Sequence, residues 1–526
     1  MSGRGGSRVR ATAGARYLHV ALALLLPSAS ALAQPLHSGT DTVRILLAAD
    51  APVLTLRSAA PLRVTSGDAT RELAPGTYTL RTNSATPPKM IYHLVVKTFP
   101  PEAAAAMQAW IDQRRAEGFQ PMASMMGRNF SADGHTLDTR VYWVSLAREA
   151  TASAAETRKR QLADRGFAAW IQPELVEPGQ GLVQIRGADK SGQSLSAPLS
   201  ISSTAPLELG EVQSSYWGAK PRPLSFTGPI QVRISGQAKL DAIEQLPIED
   251  YLRGVLPAEM SPSWPVEALK AQAVAARSDV VAGLNGRHSR QGFDFFATEQ
   301  SRAYLGATGY APATDEALRA TAGEVLRAGD RVAPAVFSAS CGGWTEDNDA
   351  VWSAPPDSAL RGVPDLARSR GKKTTPARTE EWLRSRPEAW CAVDDTYFRW
   401  NRSYTEPELR AIINKVAAVG RIEDIVLGER GVSGRLKSIR VRGSQKTATI
   451  DKELPIRRAL GGLPSALFTV HKSSKGGVTR FTFSGGGRGH GVGLCQHGAR
   501  GMALHGLKYR DILQHYYSGV ALARCD

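Results

Sequence analysis

The sequence predicts an α+β protein: a domain with a helical core and β-rich lobes, and a small two-repeat βαβ unit whose four strands form one sheet with two helices on one face. Three observations carry that expectation. Short alternations of apolar and polar residues, broken by Gly, Pro, Asp and Asn, fill residues 40–82 and return over 182–247, which is the strand period. Between them, residues 91–176 run through strand, helix, strand twice. After them, residues 246–283 change to a helical period around a Pro-rich elbow.

Taken in order, residues 1–33 read as a secretory signal. Arg4, Arg8, Arg10 and Arg16 precede the apolar run Tyr17 to Leu26, and Ala31, Leu32 and Ala33 offer a cleavage site before Gln34. That apolar run is short for a membrane span, so the mature protein is expected to be exported, periplasmic or wall-associated, with no stable span. The 526 residues, 42% of them hydrophobic, suffice for several packed domains. A formal net charge of +16 is spread along the chain, which suits acidic surfaces in general. Export argues against nucleic acid as the partner, and no zinc-finger spacing, P-loop or dinucleotide fingerprint stands out.

Residues 34–88 form an N-terminal β module built from VRILLA, VLTLRS, LRVTS and TYTLRT. Residues 89–178 hold the repeat. YHLVVKTF leads to a helix ending RRAEGF, and VYWVSLA leads to a second ending KRQLADRGF, with Gly118 and Gly166 as helix stops. Strands return over 179–247 and lead into the helical stretch of a domain that extends to residue 526, so the repeat unit is either an insertion within one discontinuous domain or one of several domains in series.

That stretch, EDYLRGVLPAEMSPSWPVEALKAQAVAARS, places Glu259 in an elbow between two helices. Ile248, Leu252, Val255 and Leu256 have helical spacing, which Pro257 would interrupt. Pro265 and Glu267 suit the first turn of the next helix. On it Lys270, Val274 and Arg277 share a face, giving either substrate contacts or ion pairs to nearby acids.

The elbow resembles the signature of the SpoIID/LytB family, which includes the sporulation protein SpoIID and the amidase enhancer LytB. The likeness recurs in PAVFSASCGGWTEDNDAVW, where Ser338, Ser340, Cys341 and the glycines after it look like a turn beside the catalytic Glu, and in GRGHGVGLCQHGARG, where His490 and Gln496 offer polar groups. Ser338 stands where many relatives have His, His497 where Tyr is usual, and Arg302 where Gln is customary. The repeat over 89–178 resembles the SPOR domain, a peptidoglycan-binding module; by that likeness Tyr92, His93, Tyr142 and Trp143 are candidates for glycan contact, although alternate strand residues must face the helices.

The family resemblance implies a lytic transglycosylase acting on glycan strands that lack stem peptides, with Glu259 as general acid and then base, and Lys270, Arg277, Tyr304, Ser340, His490 and Gln496 as substrate contacts. One acid suffices where the muramic acid C6 hydroxyl, rather than water held by a second carboxylate, captures the oxocarbenium ion. The alternative is a non-catalytic wall-binding protein that enhances an N-acetylmuramoyl-L-alanine amidase, so a cell-wall amidase is a possible partner. Some relatives bind zinc near the active site. His490, Cys495 and His497 lie close together here but form no CxxC or HxxxH pair, and no metal or cofactor is expected. In an exported chain the four cysteines favour disulfides; Cys341 with Cys391 and Cys495 with Cys525 would each close a local segment.

Overall fold

Strands from both sides of the repeat unit interleave in two large sheets. The computed structural model describes residues 41–189, 192–213, 220–367 and 379–525, and the expected secretory signal lies outside them. Thr42–Ala51 pairs antiparallel with Leu240–Pro247 as the second and third strands of a seven-stranded sheet, and Gly76–Thr86 pairs antiparallel with Gln180–Gly187 in a six-stranded one. Residues 42–86 pair partly among themselves, as in Leu62–Ser66 with Ala69–Leu73, but Thr42–Ala51 and Gly76–Thr86 find partners some 100 to 200 residues on, so of the two arrangements open in the sequence the discontinuous domain with an insertion is the one formed. Alternating residues such as Val43, Leu54, Leu80, Val183 and Ile230 enter one core from both sheets.

The repeat unit leaves this frame after Thr86 and re-enters it at Gln180, two residues that face each other across the ladder. Its four strands, Lys89–Phe99, Met122–Met126, Val141–Glu149 and Trp170–Glu177, form an antiparallel sheet in which the first strand lies between the fourth and the third. Helices α1 (Ala104–Ala116) and α2 (Ala152–Asp164) cover one face, with Met107 and Ile111 against Phe99 and Val144, and Ala155 and Leu162 against Leu94 and Leu146. Gly118 and Gly166 adopt φ of 83° and 84°, as stops at both helix ends require.

Helices α3 (Ile248–Glu259) and α4 (Val266–Gly283) run through the main core. Pro257 does not end α3; it falls in the last turn, where the missing N–H costs one hydrogen bond and the helix stops two residues later. Gly254 admits Tyr304 against α3, where an added Cβ would lie 2.5 Å from the ring. A second core, with Leu409, Ile439, Val441, Phe468 and Phe483, gathers the β-rich lobe over 400–483. Among the described residues no helix is long and apolar enough to cross a membrane.

Candidate active site

Glu259 is the last residue of α3, ahead of the elbow 260–265. Its side chain stays partly exposed. Oε1 accepts from the Ala303 amide at 3.1 Å, and Oε2 accepts from the Gln496 side-chain amide at 3.2 Å. Burial raises its carboxyl above the ordinary carboxylate range, against the two hydrogen bonds and the charge of Arg302, which favour the ionised form. The C-terminal end of a helix also disfavours a negative charge. The Glu299 carboxylate, on the exposed 298–300 turn, acts on Glu259 through space and pushes its pKa the same way.

Gln496 is the substrate-contact candidate that meets Glu259. It opens the helix Gln496–Leu504 and is also 3.4 Å from the Gln272 Oε1 of α4, so two helices fix its amide. The other candidates lie elsewhere. Arg277 is buried, with both arms of its guanidinium on Glu249 and a third hydrogen bond to the Glu324 carbonyl, so α4 shows no basic stripe to solvent. Lys270 pairs with Glu267 at 3.1 Å beside the Tyr509 ring. Tyr304 is wholly buried and donates to Glu244 at 2.7 Å. Ser340 is buried too, and its hydroxyl holds no hydrogen bond among the described residues. Through Nε2 His490 donates to the Phe337 carbonyl, and through Nδ1 it accepts from the Val492 amide, which fixes a neutral ring; burial lowers its pKa to about 3.

Residues that the sequence did not single out surround His497, the neighbour of Gln496. Tyr397 stacks on the His497 ring at 4.5 Å, and Trp264, from the elbow, meets it edge-on at 5.0 Å. Arg488 lies over Tyr397 and Arg500 over Trp264. Partly exposed aromatic rings with guanidinium groups against them suit a sugar that carries a carboxylate. Nothing in their spacing signals this, because the rings come from residues 264, 397 and 497 and meet only in the fold.

On the repeat unit the four candidates divide between the faces of the sheet. Tyr92 and Tyr142 pack on the helix side. His93 faces the opposite side but is buried, 2.6 Å from Glu174, which also pairs with Arg290 of the 289–291 turn. Gln172 donates to the Arg287 carbonyl on the same side. Trp143, partly exposed and edge-on to Trp170, is the candidate left at that surface.

His490, Cys495 and His497, neighbours in the sequence, separate in the fold: Cys495 turns inward to Cys341, Cys391 and Asp365, and the two histidines do not join it. Cys341 and Cys391 sulfurs are 3.7 Å apart, in contact without a bond. The Cys495–Cys525 pair is not formed, because Cys525 follows the strand Ala521–Arg524 and bridges to Ala132.

Comparison with known proteins places this geometry. Residues 236–327 match the SpoIID family, described as "Stage II sporulation protein", and residues 344–493 match a domain of unknown function, DUF8618. An uncharacterized protein of Brachyspira hyodysenteriae is 31% identical over 278 residues, 53% of this chain and 67% of that protein. The amidase enhancer of Bacillus subtilis is 30% identical over 291 residues, 52% of this chain and 40% of its own length. Stage II sporulation protein D of Bacillus amyloliquefaciens is 27% identical, over 54% of this chain and 76% of its own. Glu259 and the elbow that presents it fall inside the matched segment, and the chain belongs to the SpoIID/LytB family.

Proposed function

We propose that the protein is an exported lytic transglycosylase of the bacterial wall, cleaving glycan strands without stem peptides. The observation that carries this reading is the setting of Glu259: a side chain that is not fully buried, held at both carboxyl oxygens by N–H donors, with burial raising its pKa above the ordinary carboxylate range, the direction a general acid needs. The protonated acid gives its proton to the glycosidic oxygen as the C1–O bond breaks. The resulting carboxylate takes the proton of the muramic acid C6 hydroxyl as that oxygen bonds to C1, leaving a 1,6-anhydro end and returning Glu259 to its starting state. Trp264 and Tyr397, partly exposed around the buried His497 ring, offer stacking surface, with Arg488 and Arg500 as counter-charges for the muramoyl carboxylate.

The repeat unit serves in this reading as a glycan-targeting module of the SPOR kind, with Trp143 the one of the four candidates left partly exposed on the face away from the helices. Deleting the unit is a poor test, because its hairpin 129–138 supplies Phe130, Ala132 and Leu137 to the main core. Trp143→Ala is the cleaner change: loss of binding to denuded strands with unchanged melting supports targeting, and unchanged binding removes it.

A second reading rests on the relative named as an amidase enhancer: the protein binds the wall and stimulates a partner amidase without cutting glycan itself. Mass spectrometry of denuded strands incubated with the protein separates the two. Anhydro-muramic ends that vanish with Glu259→Ala are expected for the enzyme. No cleavage, with binding retained, leaves the enhancer. Reducing ends that vanish with Glu299→Gln mean hydrolysis, with Glu299 as the second carboxylate.

A further inference from the structure

Four buried side chains behind the active site form a group that the proposed chemistry does not use. The Sγ atoms of Cys341, Cys391 and Cys495 and a carboxylate oxygen of Asp365 all lie within 4.8 Å of one another. They come from four separated segments: the strand-to-turn connection at 341, the loop at 365, the turn Trp390–Val393 and the residue before the helix Gln496–Leu504. We propose that they bind one zinc ion in a tetrahedral Cys3Asp site whose role is structural.

Geometry argues for a metal over a disulfide. A tetrahedron with Zn–S bonds of ~2.3 Å has S–S edges of ~3.8 Å. Cys341 and Cys391 stand 3.7 Å apart, whereas a disulfide needs ~2.0 Å and would leave the third sulfur and the carboxylate beside it with no function. Charge argues the same way. Asp365 is fully buried, and its oxygens accept from two neutral donors, the Tyr516 hydroxyl at 2.5 Å and the Cys391 amide at 2.9 Å. A carboxylate buried with only neutral donors on its oxygens is costly unless a cation stands beside it. Zinc supplies that cation, and three thiolates with one carboxylate are the soft and borderline donors it takes.

Second-layer contacts are in place as well. The Cys341 amide donates to the Cys495 sulfur at 3.1 Å, and the Gly498 amide, in the first turn of the following helix, donates to it at 3.4 Å. Tyr516 and the Cys391 amide orient Asp365. Gly498 is required by this arrangement, since a Cβ there would lie 2.0 Å from the Tyr516 oxygen and 2.6 Å from Asp365 Oδ1. Cys495 directly precedes Gln496, so a metal that anchors Cys495 also anchors the amide that holds Glu259.

The test is metal analysis of the mature protein, purified without added metal, then reduced and reconstituted with zinc and freed of excess by gel filtration. About one zinc per chain is expected, with four thiols titrated after denaturation in chelator. Replacement of zinc by Co(II) is expected to give thiolate-to-metal charge-transfer bands and the intense d–d absorption of a tetrahedral site. Asp365→Asn is expected to weaken zinc retention at least tenfold, and Cys525→Ala to leave it unchanged. Absence of stoichiometric zinc after reconstitution, with or without a Cys341–Cys391 peptide in a non-reducing digest, overturns the proposal. The wild-type stoichiometry and cobalt spectrum decide the matter even where a cysteine variant fails to fold.

Discussion

At Glu259 the fold and the hydrogen bonds pull in opposite directions, and the balance is open to measurement. The Gln496 amide favours the carboxylate, so removing it raises the pKa of Glu259 further. Gln496→Ala is therefore expected to slow strand cleavage and to move the alkaline limb of the pH–rate profile upward. A residue that only packs would lower the rate without moving the limb. Glu244 gives a second titration, this one in stability. It is fully buried, with Tyr304 and the Gly228 amide as donors, and burial lifts its pKa from 4.5 to about 7. Between those values the folded chain holds more protons than the unfolded one, so stability falls as pH rises through that window and levels off above about 7. Glu244→Gln can accept from Gly228 through its amide oxygen and donate from its amide nitrogen to the Tyr304 oxygen, and is expected to remove this loss, a gain of ~3 kcal/mol at neutral pH in urea unfolding.

Among the elements, α3 and α4 show what a sequence conveys about a site and what it withholds. The helical periods, the elbow and the acid at its mouth were all legible, because each depends on neighbours within a few residues. Arg277 was not, since its partner Glu249 lies 28 residues away on the other helix and the pairing exists only once α3 and α4 cross. Arg277→Ala leaves the Glu249 carboxylate without its cation in a largely buried place. The expected cost is about 3–5 kcal/mol in unfolding free energy, with the product termini unchanged in the protein that remains folded. Loss of anhydro ends at full stability would instead assign Arg277 to the substrate. The cysteine cluster was illegible for the same reason: Cys341, Asp365, Cys391 and Cys495 have no motif spacing, and only the fold brings the four together. Alternation along the repeat strands did convey that half of its aromatics face the helices; it could not convey that residues 287–291 cover His93 on the other side.

Across the whole molecule, the repeat unit is an insertion at one rung of a ladder, and the frame around it closes through pairings such as Thr42 with Pro247. Strand periods predicted the strands but not these partners, which is why the sequence left open whether residues 34–88 belong to a discontinuous domain or stand in series before the repeat unit. The insertion ties the four-stranded sheet of the repeat unit to the domain that carries Glu259, and the net charge of +16 suits acidic surfaces in general. The measurement that bears most directly on the account is digestion of denuded glycan strands in heavy-oxygen water, followed by mass spectrometry of the new termini. Capture by the C6 hydroxyl predicts 1,6-anhydro ends that carry no label and are absent with Glu259→Ala. Labelled reducing ends would contradict it, because water would then be the nucleophile.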